Sequence, residues 1–224
     1  MMSDVQRVAL KLKSGRTAKR KQRSPRWETF TDMAREKAAV ITFPIAKGLE
    51  RLGVHPNTLT IVGMLLQAAV GVVFALGHIV LGGWLLLAIA PVDALDGALA
   101  RASGRQSLFG AFLDSTLDRL SDAVLILGLA THYMLRQEYL PVALLLISLV
   151  AALLVSYTRA RAEALGLPCK VGLLTRLERI LLIATLCALG LPLVMIWLLM
   201  TLSVFTVFQR VLHVYAASRR IEGE

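Results

Sequence analysis

From residue 58 onward the chain alternates between long apolar stretches and short breaks, and this pattern constrains the fold more than any other feature. Six stretches, 58–77, 80–101, 108–134, 140–162, 173–189 and 193–215, come near the ~20 residues that a helix needs to cross a bilayer core. The breaks fall at Gly77-His78, Ala102-Ser103-Gly104, Arg136-Gln137-Glu138, Gly166-Leu167-Pro168 and Gly190-Leu191-Pro192, all rich in turn formers. Inside lipid a segment must satisfy its own backbone hydrogen bonds, so stretches of this length span as helices. Composition agrees: 56% of residues are hydrophobic and 18% charged, against about 45–50% and about 25% in a soluble domain. That content excludes a disordered chain and a water-soluble globule. The expected fold is an all-α integral membrane protein with six transmembrane helices. Aromatics are 6% and the basic excess sits at one end, which argues against a stacking nucleic-acid binder; no nucleic-acid partner is expected.

Two segments precede the spans. Residues 1–26 hold nine Lys and Arg against the single acid Asp4 and lack the apolar core of a cleaved signal. They read as a basic cytosolic tail, drawn to anionic headgroups by about 1 kcal/mol per basic residue at the surface. Residues 27–53 place Phe30, Met33, Val40, Ile41, Ile45, Leu49 and Leu52 at roughly helical spacing between charges, with Gly53 at the end. They read as a cytosolic amphipathic juxtamembrane helix lying along the interface. One set of loops then carries the tail, Arg101, Arg105, Arg159, Arg161, Lys170, Arg176, Arg179, Arg210, Arg219 and Arg220, while the opposite set carries only Arg136. Positive charge marks the cytosolic side of the cell membrane, and six spans return both termini to it. The expected layout is the tail 1–26, the juxtamembrane helix 27–53, a six-helix domain 54–217 and a cytosolic C-terminal tail 218–224. Cys169 and Cys187 are expected to be reduced packing residues.

Spans two and three carry Asp93, Asp96, Asp114, Asp118 and Asp122, although one Asp at the centre of a spanning helix costs roughly 2.5–3.5 kcal/mol. Asp93 and Asp96 are three apart and Asp114 and Asp118 four apart, so each pair shares a helix face. The short link 102–107 is expected to make the two helices antiparallel neighbours, with both pairs toward the cytosolic end. Carboxylates gathered so closely cannot all stay ionised without cations. Oxygen ligands without His or Cys favour Mg²⁺ or Mn²⁺, and two such ions about 4 Å apart suit phosphoryl chemistry, bridged by Asp93 and Asp114. Pro91 is expected to kink its helix and open a cavity there.

Written out, the run is Asp93-x2-Asp96-Gly97-x2-Ala100-Arg101-x8-Gly110-x3-Asp114-x3-Asp118. These eight positions at fixed spacing resemble the complete signature of the CDP-alcohol phosphatidyltransferases. That family exchanges the CMP of a CDP-linked donor, usually CDP-diacylglycerol, for an alcohol. The resemblance implies two Mg²⁺ (or Mn²⁺) ions held by Asp93, Asp96 and Asp114, with Asp118 joining the second. Asp118 is also implied as the catalytic base that takes the acceptor's hydroxyl proton. Gly97 and Ala100 would let the nucleotide approach, and Arg101 would meet the diphosphate. Ser107, Asn57 and Thr60 would hydrogen-bond the nucleotide. Gly97 serves helix packing equally well, Ser107 and Asn57 serve as helix caps, and His55 reads as a solvated loop histidine. Members of the family are usually homodimers.

The acceptor is read from the other half. Ser156-Tyr157-Thr158-Arg159-Ala160-Arg161-Ala162-Glu163 ends span four, Arg176 and Arg179 stand at span five, and Arg210 lies near the end of span six. Arginines gathered at one depth suit a dianionic phosphate, or they serve topology and snorkelling. These runs, with Gln209-Arg210, resemble bacterial phosphatidylinositol phosphate synthases from about residue 41 to 213. Arg159 stands where a lysine is common and Leu177 where a proline is expected. The likeness implies inositol 1-phosphate as acceptor, phosphatidylinositol phosphate and CMP as products, and Arg159, Arg176 and Arg210 around the acceptor phosphate with Arg161 and Arg179 beside them. Two alternative substrates are glycerol 3-phosphate, giving phosphatidylglycerophosphate, and an ether-linked donor. A cation-coupled transporter is the alternative from another class, but its carboxylates should continue across the membrane instead of gathering toward one face.

Overall fold

A computed structural model describes residues 47–51 and 53–222, without the side chains of Asp93, Ala94, Ile221 and Glu222. The basic tail and nearly all of the juxtamembrane helix expected at 27–53 lie outside the described residues. After a helical turn at 47–51, six long helices follow: α1 (Pro56–Ala75), α2 (Ile79–Ala102), α3 (Leu108–Leu135), α4 (Tyr139–Ala164), α5 (Arg176–Ala188) and α6 (Pro192–Glu222). No strand occurs among the described residues.

The expected breaks are where the chain turns. Gly77, Gly104, Gly166 and Gly190 all adopt positive φ, as does Gln137, the one non-glycine to do so among the described residues. Gly53 does the same where the juxtamembrane helix was expected to stop. Helix α2 runs unbroken through Pro91.

Four helices, α1, α2, α4 and α6, are long and apolar enough to cross a membrane. The other two depart from the expected spans for separate reasons. Helix α3 has ample length but carries Asp114, Asp118, Arg119 and Asp122 between its start and its middle. Helix α5 has only 13 residues, about 20 Å of helix against a hydrocarbon core of about 30 Å. It starts at Arg176 because Thr175 caps it: the Thr175 amide donates to Glu178 Oε2 at 3.0 Å, the return half of a capping box. At the other extreme, α6 continues to Glu222, through the boundary expected at 217/218.

Packing is set by close backbone approach, the main source of helix association when lipid is as apolar as the side chains. A Cβ on Gly128 would stand 2.1 Å from the Gly71 carbonyl oxygen, so α1 and α3 cross glycine on glycine. A Cβ on Gly83 would stand 2.2 Å from the Ala188 amide nitrogen, which sets the crossing of α2 on α5. Phe74, Leu86, Leu125, Leu145, Ile183, Met195 and Leu199 fill the interior between these contacts. Large apolar residues such as Trp84, Phe112 and Phe208 face outward, and an apolar groove of about 440 Å³ between α4 and α6, lined by Ile147, Val150, Val204 and Phe208, belongs to that outer surface.

Helices α2 and α3 are not packed neighbours; α1 packs on both of them, α2 leans on α5, and α3 on α4. The link between α2 and α3 is too short to let them part at that end, so the space between them is a cleft roofed by residues 103–107. Asp96 and Asp114 border that space instead of a helix–helix seam.

Candidate active site

At the mouth of the cleft is a cavity of about 300 Å³, built by the start of α1, the end of α2, the link and the start of α3. Asn57, Thr60, Gly97, Ala100, Arg101 and Ser107, the residues linked by resemblance to the CDP donor, all line it, together with Asp96 and Asp114. Arg105 and Gln106 line it too. The sequence reading gave them no site role, although their position beside Ser107 in a six-residue link was a signal.

Local capping explains this geometry. His55 is an exposed loop residue, as expected, and its Nδ1 also accepts from the Asn57 amide at 3.2 Å and so caps α1. Asn57 is thereby not the cap, and its side chain reaches across to α3, where Oδ1 would lie 3.1 Å from a Cβ on Gly110. Ser107 caps α3 by accepting from the Gly110 amide at 2.9 Å. Gly110 is small because the Ser107 hydroxyl and the Asn57 side chain meet over it. Gly97 differs: among the described residues a Cβ there would meet only the Arg101 guanidinium, at an ordinary 3.4 Å. Asp96 is 8% exposed and oriented from both sides. Thr60 donates to its Oδ2 at 2.8 Å, and the Gly97 amide donates to its Oδ1. Thr60 thus acts on the carboxylate as well as bordering the cavity.

Asp114, Asp118 and Asp122 follow one another at four-residue steps along α3, each about 6 Å deeper than the last. Asp114 faces the cavity, while the other two meet the first turn of α5. Arg176 Nη1 lies 3.0 Å from Asp118 Oδ1, and Arg176 Nε 3.9 Å from Asp122 Oδ1. Arg179 Nη2 donates to Asp122 Oδ2 at 2.5 Å, in a pair buried on both sides. This second cluster, joining residues 57 apart in sequence, was not foreseen.

The remaining arginines are placed differently. Arg159 pairs with Glu163 at 2.9 Å on the exposed surface, and Arg161 is exposed. Arg210 is 3% exposed and engaged with backbone: Nε donates to Val171 O at 2.9 Å and Nη1 to Val155 O. It belongs to a polar face of α6 that pins the segment before α5. On the same face Thr206 accepts from the Leu174 amide at 3.1 Å, and a His213 ring nitrogen lies 3.1 Å from Pro168 O. Gly172, at φ +145°, lets the guanidinium pass, since a Cβ there would stand 3.1 Å from Arg210 Nη2. Cys169 and Cys187 are buried and free, as expected.

Among the described residues no group of three or more His, Cys, Asp or Glu is gathered tightly enough to hold a metal ion. The side chain of Asp93 is outside that set. What is described fits a hard divalent cation: Asp96 and Asp114 present oxygen ligands on one cavity.

With this geometry in hand, comparison with known proteins is specific. A family model described as CDP-alcohol phosphatidyltransferase matches residues 53–209. The chain is 40% identical over 179 residues to the archaetidylinositol phosphate synthase of Pyrococcus horikoshii, covering 80% of this chain and 91% of that protein. It is 36% identical over 202 residues to the phosphatidylinositol phosphate synthase of Mycobacterium tuberculosis, covering 85% and 93%. The crystal structure of that Mycobacterium tuberculosis synthase with CDP-DAG bound superposes with a TM-score of 0.72 at 35% identity, over 78% of this chain and 94% of the other. Its complex with manganese and citrate gives 0.73 at 35% identity, over 78% and 88%.

Proposed function

Because the chain belongs to the CDP-alcohol phosphatidyltransferase family and is a membrane enzyme of that type, we propose that it transfers the phosphatidyl group of CDP-diacylglycerol to inositol 1-phosphate, releasing CMP. The observation that carries this reading is that one cavity gathers Asn57, Thr60, Gly97, Ala100, Arg101 and Ser107 with Asp96 and Asp114. The acceptor follows from the arginines of α5 and from the relatives, which are named as inositol phosphate synthases. The names of the relatives also favour a second donor, with archaeal ether-linked chains.

In this reading the CDP group occupies the cavity, where the bare face of Gly97 leaves room for it and Arg101 meets the diphosphate with a fork of donors. Asn57 and Ser107, already held over Gly110, offer polar atoms to the nucleotide. Asp93, Asp96, Asp114 and Asp118 would hold two divalent ions, Mg²⁺ or Mn²⁺, which when bound neutralise the charge on the diphosphate. The acceptor phosphate is clasped by Arg176 and Arg179. Since Arg176 stands 3.0 Å from Asp118, a phosphate on that arginine brings its sugar beside the base. Asp118 takes the hydroxyl proton, the freed oxygen attacks the β-phosphorus, and the bond from that phosphorus to the CMP oxygen breaks. Arg210 works through the segment it pins, while Arg159 and Arg161 add positive charge at the rim. All six helices cross the bilayer, α5 with help from the segment before it, and both termini and the site face the cytosol. The molecule acts as a homodimer.

The test is CMP release from CDP-diacylglycerol and from its ether-linked counterpart, with inositol 1-phosphate or glycerol 3-phosphate as acceptor. Release that depends on inositol 1-phosphate is expected; release with glycerol 3-phosphate alone would overturn the acceptor assignment.

A further inference from the structure

Asp122 has no place in the eight-residue signature and does not line the donor cavity, yet at 4% exposure it is among the most buried charges in the chain. A carboxylate so placed is strongly desolvated, and one ion pair offsets that only with good geometry and further hydrogen bonds. Its neighbours are the two arginines of the first turn of α5. Oδ2 accepts from Arg179 Nη2, and Oδ1 stands 3.9 Å from Arg176 Nε. One turn toward the cavity on the same stripe, Asp118 meets Arg176 Nη1 at 3.0 Å. Arg176 is therefore held between two carboxylates at i and i+4.

Arg179 is 1% exposed, and its Nε and Nη1 have no hydrogen-bond partner among the described residues. Buried guanidinium N–H groups left unmet are costly, so two of them on one side chain call for an anion. Two guanidinium groups on one helical turn would otherwise repel each other and splay apart. Asp122 removes that repulsion and sets the direction of both.

We propose that Asp122 is a positioning residue for the acceptor: it holds Arg176 and Arg179 so that a phosphate beside Asp118 meets both. This rests on the reading that the acceptor carries a phosphate. Asp122 itself touches neither substrate.

The test is steady-state CMP release by the full chain in lipid–detergent micelles, with acceptor and donor varied separately. Asp122→Glu keeps the charge and moves it by one methylene. Asp122→Asn keeps the shape and strands the Arg179 charge, so it lowers the melting temperature as well. Both variants are expected to raise the KM for inositol 1-phosphate roughly ten-fold or more, the scale of a misplaced positioning group, with the donor KM unchanged. An unchanged acceptor KM in Asp122→Glu would overturn the proposal, as would a parallel rise in both constants, the mark of an ion pair that serves only the fold. Wild-type enzyme that ignores inositol 1-phosphate would count against the acceptor assignment instead, and the same two variants would then be compared with glycerol 3-phosphate. Should Asp122→Glu not fold, Asp122→Asn at lowered temperature gives the same split between the two constants.

Discussion

Among the described residues, a methyl group added at Gly97 would meet only the guanidinium of Arg101, at 3.4 Å, and the proposed donor gives this glycine its reason to be small. Gly97→Ala is expected to melt within a degree or two of wild type. Its donor KM should nevertheless rise roughly ten-fold, equivalent to about 1.4 kcal/mol. A lower melting temperature with an unchanged donor KM would restore the helix-packing explanation. The aspartates, Gly97 and Arg101 were legible because the chemistry needs those residue types at helical spacing, and spacing survives in a bare sequence. The Asp122–Arg179 pair was not, since a contact between residues 57 apart leaves no local periodicity. His55 is the exposed loop residue expected, but its cap was not foreseen because histidine is an uncommon N-cap, and only the geometry shows its Nδ1 accepting from the Asn57 amide. Arg210 was legible as a charge but not as a clamp, because its partners are backbone carbonyls, which every residue possesses.

Helix boundaries followed hydropathy wherever turn formers bounded the apolar run, and departed from it where capping or amphipathicity took over. Helix α5 starts three residues inside the apolar stretch 173–189 because the Thr175–Glu178 box fixes the first turn. Helix α6 outlasts its stretch because its final turns, with Ser218, Arg219 and Arg220, can remain helical in water. The short link brings α2 and α3 to one cavity without packing them on each other, since link length limits one end only and packing is decided by the surfaces that fit. Those surfaces are the glycine crossings. A Cβ on Gly128 would lie 2.1 Å from a backbone oxygen of α1, which no rotamer change can relieve. Gly128→Ala is therefore expected to destabilise by about 1–3 kcal/mol or more, a fall of roughly 2–12 °C in melting temperature for a chain of this size. A melting curve that does not move would mean that α1 and α3 do not cross there.

At the scale of the whole molecule, two charged systems are joined by one stripe of α3. Near the link between α2 and α3, Asp96 and Asp114 share a cavity with Arg101; farther along α3, Asp118 and Asp122 answer Arg176 and Arg179. Helix α1 binds α2 and α3 into the first system, and the polar face of α6 holds the segment that presents α5 to the second. That division explains why carboxylates can be so numerous in an apolar chain with a formal net charge of +10. Asp122 is balanced by arginine and Asp118 lies between Arg176 and the outer set, which in the proposed reading is balanced by divalent ions. The central claim is that the outer set is a divalent-metal site between α2 and α3. An anomalous difference map from crystals of this chain grown with Mn²⁺ tests it most directly. Two peaks per chain within ligand distance of Asp93, Asp96, Asp114 and Asp118 are predicted, and a map with Mn²⁺ elsewhere or nowhere, in protein that still turns over, would contradict the account.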